Sequence, residues 1–564
     1  MIHWKATPAT EELRRTYSDP DFDDADWAEA DVPGPAPLTD GTVLSRTTFD
    51  APNLEADQRA WLVLDGVMYQ GDWWLDGDYL GDTEGWWCLH RFEVTDQAAR
   101  NSSHVLAAEL SAPGAGEPKR HLTGALADPR AALGLWRLPD LRLTGPAAIT
   151  HARIVCADAE PARATLALRA VLDLPHETLV TLRTQVASVD HVLEHQAAAG
   201  ENQVNWTVTV DQPELWWPHG WGEPVLHDLT LEVIVGGQIS DRISRRVGFR
   251  SVTWDRGVVS INGRRRFLTG IERPPEPWMP ESIESHRDRL EGWRSAGVTL
   301  IRVRGHVAPP EFYDAADQLG LLIWQELPLS GRHHRSVRRP AVTQARELVD
   351  RFGHHPSILL WCCHDRPSPT NRVTIDRFVA RQLRRCDGSR PVLLHPPPRP
   401  NSPTVDALAR QIRHIPRLGQ FVTGAVAQPR RAAEALRRLA YRPAGGFALA
   451  ARPDELAPAL APVIVVADPL PERLGPGEAF ACDLHVVSDL AHPLAGAEVR
   501  ARLSWEGDAE RYGWRGEVPA DGCVRVATIQ AIAPSTPGPL VLDLELTHPD
   551  LPTAVVNRYT SVVS

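Results

Sequence analysis

Asp365 follows the apolar run Ser357-Ile-Leu-Leu-Trp-Cys-Cys363, one residue after His364 and directly before Arg366 and Pro367. A continuous apolar run of strand length is the pattern of a parallel strand covered on both faces. In a barrel of such strands, chemistry is placed at their carboxyl ends. Glu326 ends a second run, Leu321-Leu-Ile-Trp-Gln-Glu326, before Leu327 and Pro328. Two carboxylates at strand ends could serve together in proton transfer, one as acid and one as base. Arg366 beside Asp365 would lower that carboxyl's pKa, which suits a base and not an acid. His306, His364 and His395 are also expected at strand ends, and three imidazoles with a carboxylate could form a zinc set. The plainer reading of His364 to Pro367 is a charged loop that solvates a strand end.

The elements that must position these residues alternate in type. Val298 to Val303 reads as a buried strand, Glu311 to Gly320 as a helix with a glycine stop, and Leu321 to Pro328 as the next strand. A helix precedes them, with Ser282 or Ser285 as its cap and Gly297 at its end. Strand–helix alternation of this kind predicts a (β/α) barrel. The expected barrel segment, 253–455, is about 200 residues, short of the ~250 typical of a full barrel. Residues 1–148, 149–252 and 456–564 read as β, with short strands and Asp-Gly, Pro and Gly turn signals. The expectation is a multidomain β plus α/β protein, with immunoglobulin-like β-sandwiches at 149–252 and 456–564.

Composition narrows the classes. The chain has 564 residues, 43% hydrophobic and 23% charged, the balance of a globular protein. A net charge of −12 argues against nucleic acid as the main partner. No stretch approaches the ~20 apolar residues of a membrane span, and the N-terminus carries no signal-peptide run. Seven cysteines, odd in number and without a Cys-x-x-Cys pair, suit reduced thiols in the cytoplasm. Nineteen tryptophans offer flat faces for sugar rings but serve equally well in sandwich cores.

His354-His-Pro-Ser-Ile-Leu-Leu-Trp361 with its polar turn resembles the signature of glycoside hydrolase family 2, which holds β-mannosidases, β-galactosidases and β-glucuronidases. Asp72-Trp-Trp-Leu-Asp-Gly77, Leu133-Gly-Leu-Trp-Arg137, Glu214-Leu-Trp-Trp-Pro218, Val247-Gly-Phe-Arg250 and Phe312-Tyr-Asp-Ala-Ala-Asp317 are similar to further family motifs. The resemblance implies an N-terminal jelly-roll sandwich over 1–148 and a shortened TIM-type barrel. In the family signature the Trp is followed, four and five positions on, by Asn and the acid/base Glu. Those positions here hold Asp365 and Arg366, with Pro367 retained. An arginine stays protonated and cannot exchange a proton in turnover. No nucleophile motif occurs late in the barrel segment; between Pro391 and Arg452 the acidic residues are Asp406 and Glu434.

The resemblance therefore implies a family 2-like protein without the catalytic pair, still able to contact carbohydrate through Arg302, Trp361, His364, Arg366 and Glu272. Two alternatives stand beside it. One is an active glycosidase on β-mannosides or β-galactosides using Asp365 with Glu326. The other is a protein-interaction scaffold with a plugged barrel mouth. Carbohydrate is the expected partner, with no nucleic acid, membrane, cofactor or resident metal.

Overall fold

Asp76 and Gly77 take φ of 51° and 85°, the mirror-image turn that joins strands in a two-residue hairpin. Gln70–Leu75 and Asp78–Glu84 pair antiparallel across it, and Asp76 Oδ1 accepts the Val105 N–H at 2.8 Å. The computed structural model describes residues 3–36, 41–126, 128–276, 282–331, 335–365, 375–397, 420–426, 428–441 and 444–564. They form two units: Met1–Val252 with Pro274–Leu290 and Val303–Pro396, and Thr253–Arg273 with Glu291–Arg302 and Pro397–Ser564.

In the first unit the N-terminal strands build a six-stranded sheet and two three-stranded ones. Trp73, Trp86 and Trp87 lie in its core, and Trp73 Nε1 donates to Thr83 Oγ1 at 3.1 Å. The region from 148 to 247 is a sandwich of a three-stranded and a four-stranded sheet. Its strand Gly200–Asp211 alternates, burying Val204, Trp206, Val208 and Val210 against Leu229, Leu231 and Val233. The second unit holds another sandwich, Val463–Ala467 through Val555–Val563, with Leu540, Leu542, Leu544 and Leu546 on its inner face.

The α/β region runs β1 (Leu268–Arg273), α1 (Ile283–Ser295), β2 (Leu300–Val303), α2 (Pro310–Leu319), β3 (Leu322–Glu326), α3 (Arg338–Phe352), β4 (Ile358–Cys362), α4 (Asp376–Cys386), β5 (Val392–Leu393), β6 (Phe421–Gly424), α5 (Pro429–Arg438) and β7 (Gly446–Leu449). In the first unit β3 pairs parallel with β4, and β4 with β5. In the second, β7 pairs parallel with β1 and β6. Among the described residues the result is a parallel half-barrel region and not the closed eight-stranded ring of a full barrel. Ser282 Oγ accepts the Ser285 N–H at 3.2 Å at the head of α1. Gly320, at φ 68°, ends α2 in the left-handed conformation. Strand β5 is only two residues long, because Asp387 folds the chain before it. Its Oδ1 accepts from both Ser389 N–H and Ser389 Oγ, at 2.9 and 2.7 Å.

The chain entering β4 is held by side chains from three directions. Asp317 accepts from Ser357 N–H at 2.9 Å and from His355 Nδ1 at 2.7 Å. Arg250 donates to Pro356 O at 2.6 Å and also to Ile358 O. Arg390 donates to His355 O and Ile358 O, both at 2.8 Å, and to Asp387 Oδ2 at 2.6 Å. Burial alone would raise the Asp387 carboxyl, but Arg390, Ser389 and Trp361 hold it below its ordinary value. The His-Pro-Ser, Gly-Phe-Arg and Asp-x-x-Arg motifs are thus parts of one clamp. Further ties join the sandwich strands to the helices. Arg351 bridges Asp65 at 2.8 and 2.6 Å and donates to Trp87 O at 2.8 Å.

Removing Asp317 leaves an imidazole and a buried N–H unpartnered. Asp317→Ala is expected to lower the unfolding free energy by about 3 kcal/mol, read as a lower urea midpoint at unchanged slope.

Burial pushes His90 down to about 4. Burial, with Arg91 and Arg346 nearby, does the same to His151, also to about 4. The unfolded imidazole titrates near 6.5, so below that pH the unfolded chain binds protons that the native state refuses. Their contribution is complete above pH 6.5 and is lost as pH falls towards 4. His151→Gln should make that acid-side decline shallower in urea titrations across the window.

Candidate functional site

In the first unit the carboxyl ends of β3 and β4 carry Glu326 and the pair His364 and Asp365. Glu326 is fully buried, and its Oε2 accepts the Gly305 N–H at 2.8 Å. Asp365 is 5% exposed, and its Oδ2 lies 3.9 Å from Arg304 Nε. A buried carboxylate needs such partners, because desolvation of an uncompensated charge is prohibitive. The turn after β2 is fixed in place by Gln325. Its Nε2 donates to His306 O and Glu326 O at 2.7 and 2.6 Å, and its Oε1 accepts from Tyr313 at 2.5 Å.

A segment of the N-terminal sandwich lies against that turn. Ala125 N–H donates to Gly305 O at 2.9 Å, and Ser330 Oγ donates to Gly124 O at 2.6 Å. His121 O accepts the Ser330 N–H at 3.0 Å, and His121 Nδ1 sits 2.9 Å from Ser330 O. The approach is close enough to demand glycine. A Cβ at Gly124 would stand 2.0 Å from Gly305 O, and Gly124 and Gly305 take φ of 71° and 58°. The amide of Gly305 is therefore held by Glu326 and its carbonyl by Ala125.

The remaining expected residues fall in several places. His364 is fully buried, and its Nε2 lies 3.0 Å from Asp376 Oδ2 in the first turn of α4. Trp361, expected among the carbohydrate contacts, is wholly buried, and its Nε1 donates to Asp387 Oδ2 at 2.8 Å. β4 is covered on both faces, so the ring is enclosed whichever face it takes. In the second unit Arg302 and Glu272 form a buried ion pair with each other. Glu434, also there, is 4% exposed and bonds Tyr559 and Asn557 at 3.0 and 3.1 Å. Arg366, Pro367 and Asp406 lie outside the described residues.

His306, His364 and His395 do not converge. His306 Nδ1 lies 3.3 Å from Arg304 O, and His395 Nδ1 lies 2.8 Å from Pro396 O. Among the described residues the group of metal-type ligands within 4.8 Å is Asp314, Asp317 and His355, where Asp317 already serves the β4 clamp. Sequence reasoning missed Asp376, Gly305 and the 118–126 segment. The two glycines were the available signal, but contact between residues so far apart in the chain is written in neither local stretch.

The fold and site define a protein of glycosidase-like architecture. Residues 149–250 match the family model for glycosyl hydrolases family 2. Over 301 residues the chain is 27% identical to an exo-beta-D-glucosaminidase of Streptomyces avermitilis, covering 49% of this chain and 33% of that protein. Over 375 residues it is 25% identical to beta-mannosidase B of Aspergillus terreus, covering 56% and 42%. The chain thus spans between a third and about two fifths of these relatives' lengths. In fold it is similar to an exo-chitosanase of Amycolatopsis orientalis, with TM-score 0.79 at 16% identity, covering 100% of this chain and 84% of that one. The beta-D-mannosidase of Dictyoglomus thermophilum gives TM-score 0.79 at 16% identity, covering 100% and 88%.

Gly124→Ala forces a side chain into Gly305 O at a positive φ. It should cost at least about 1 kcal/mol and speed amide exchange at Ala125, measured by hydrogen–deuterium exchange.

Proposed function

We propose that this is a family 2-like protein that does not hydrolyse glycosides and retains carbohydrate contact. The observation that carries the reading is the engagement of Glu326. Its buried carboxylate holds the Gly305 amide, and the Gly305 carbonyl is in turn covered by Ala125. A working acid or nucleophile must present an oxygen to the reacting bond. Asp365 is nearly buried and faces Arg304. Arg366 occupies the sequence position of the family's acid. Glu434, the described acidic residue late in the segment, is tied into the Tyr559 and Asn557 network. Carbohydrate contact is favoured by the relatives, one of which, the exo-chitosanase, is solved with PNP-beta-D-glucosamine. The seven free cysteines support a reducing compartment.

The test is hydrolysis of nitrophenyl β-mannoside, β-galactoside, β-glucuronide, β-glucoside and β-glucosaminide by the wild type, Asp365→Ala and Glu326→Ala. The expected result is no turnover above buffer in any of the three. Wild-type turnover that is lost in either variant would establish a rebuilt carboxylate pair and overturn the reading.

A further inference from the structure

A cavity lies in the first unit, lined by none of Glu326, His364 or Asp365. It opens between the strands Asp78–Glu84 and Leu89–Glu93 of the N-terminal sandwich and helix α3, with a volume of about 420 Å³. That is within the range of small-molecule pockets, roughly 300–1,000 Å³. Glu347 lines it and makes no hydrogen bond or ion pair among the described residues, and burial raises its carboxyl above the ordinary value. Arg339 and Arg346 also line it, again with no ion pair among the described residues. Gln344 is 4% exposed, yet its Oε1 has no hydrogen-bond partner. The wall also holds His90, whose Nε2 is buried without a partner. Buried polar atoms left unpaired in a native fold call for a ligand or ordered water.

The lining selects a ligand by elimination. A simple anion would meet Glu347 together with Asp82 and Glu84. A simple cation would meet Arg339 and Arg346. The two imidazoles in the wall, His90 and His151, are pushed down to about 4 by burial and are neutral near pH 7. His151 Nδ1 already lies 3.3 Å from Thr150 Oγ1, and a remaining imidazole nitrogen donates or accepts according to its tautomer. Carboxylate and amide acceptors, guanidinium donors and amphoteric imidazoles together match groups that donate and accept at once. Hydroxyl groups do so without charge. We propose that this cavity binds a small, uncharged, hydroxyl-rich molecule of the saccharide class, at a site separate from the ends of β3 and β4. The proposal stands whether or not the strand-end site hydrolyses or binds anything.

The experiment is titration calorimetry of the full chain with methyl β-D-mannoside, methyl β-D-glucoside and cellobiose. Sodium phosphate and glucosamine hydrochloride serve as charged probes. The variants are Arg346→Ala, whose side chain is exposed, the near-isosteric Glu347→Gln, and Asp365→Ala at the strand ends. The expected result is binding of at least one neutral probe, weakened tenfold or more in Arg346→Ala and Glu347→Gln and unchanged in Asp365→Ala. The charged probes should bind at least tenfold more weakly. Three results would overturn the proposal: no binding of any neutral probe, equal or tighter binding of a charged probe, or binding lost only in Asp365→Ala. The last would place the saccharide at the strand ends instead.

Discussion

Every side chain of the strand Ile358–Cys362 is buried, so the chain that feeds it must find partners for its polar backbone inside the protein. Water cannot supply them, and each unpaired group would cost on the order of 1–3 kcal/mol. The structure solves this with charged side chains from three distant stretches. Asp317 comes from helix α2, Arg250 from the end of the sandwich, and Arg390 from the turn after α4. The clamp places β4 and, through it, His364 and Asp365. Arg250 is driven down to about 9 by its burial, with Arg390 adding to the effect. So costly a position for a cation makes sense only where it satisfies several carbonyls at once.

The same economy governs the strand ends. Glu326 completes a turn, His364 meets Asp376, and in the second unit Arg302 meets Glu272. Polar residues at these places are internally satisfied, and internal satisfaction trades against availability to a substrate. A carboxylate that holds a backbone amide is preorganised, but for architecture. The half-barrel region keeps its scaffold of apolar strands while the groups that crown them face inward to each other and to a neighbouring segment.

Much of this was legible beforehand, for identifiable reasons. The apolar runs at Leu322–Glu326 and Ile358–Cys362 showed as strands because burial on both faces leaves no alternation to misread. Gly320 and Asp76-Gly77 marked their turns because only a few residues accept a positive φ at low cost. The tryptophans of the N-terminal sandwich were readable as core. Trp361 was not, because a motif shared with sugar-cleaving relatives does not reveal which way a ring faces. The role of Asp387 was hidden too: a strand signal over Val392–Leu394 extends naturally backwards unless the side-chain turn at Asp387 is known. Most obscure was the meeting of Gly124 with Gly305. Contacts between distant stretches depend on the packing of whole layers, and neither glycine's neighbours encode the other.

That meeting bears on how the chain can be cut and recombined. Gly124 and Ala125 belong to the N-terminal sandwich, and Gly305 to a turn of the α/β region, yet their backbones touch with no side chain between them. Arg351 reaches from α3 to Asp65 and Trp87, and Arg153 reaches from the second sandwich to Asp350. The first two sandwiches are therefore not portable modules in the manner of beads on a string. Each carries half of a set of complementary surfaces whose other half lies a hundred or more residues downstream. A recombination that swapped the N-terminal sandwich would be tolerated only if the incoming piece brought a glycine to the same point in space, and a boundary drawn by sequence length alone would pass through the middle of a shared interface.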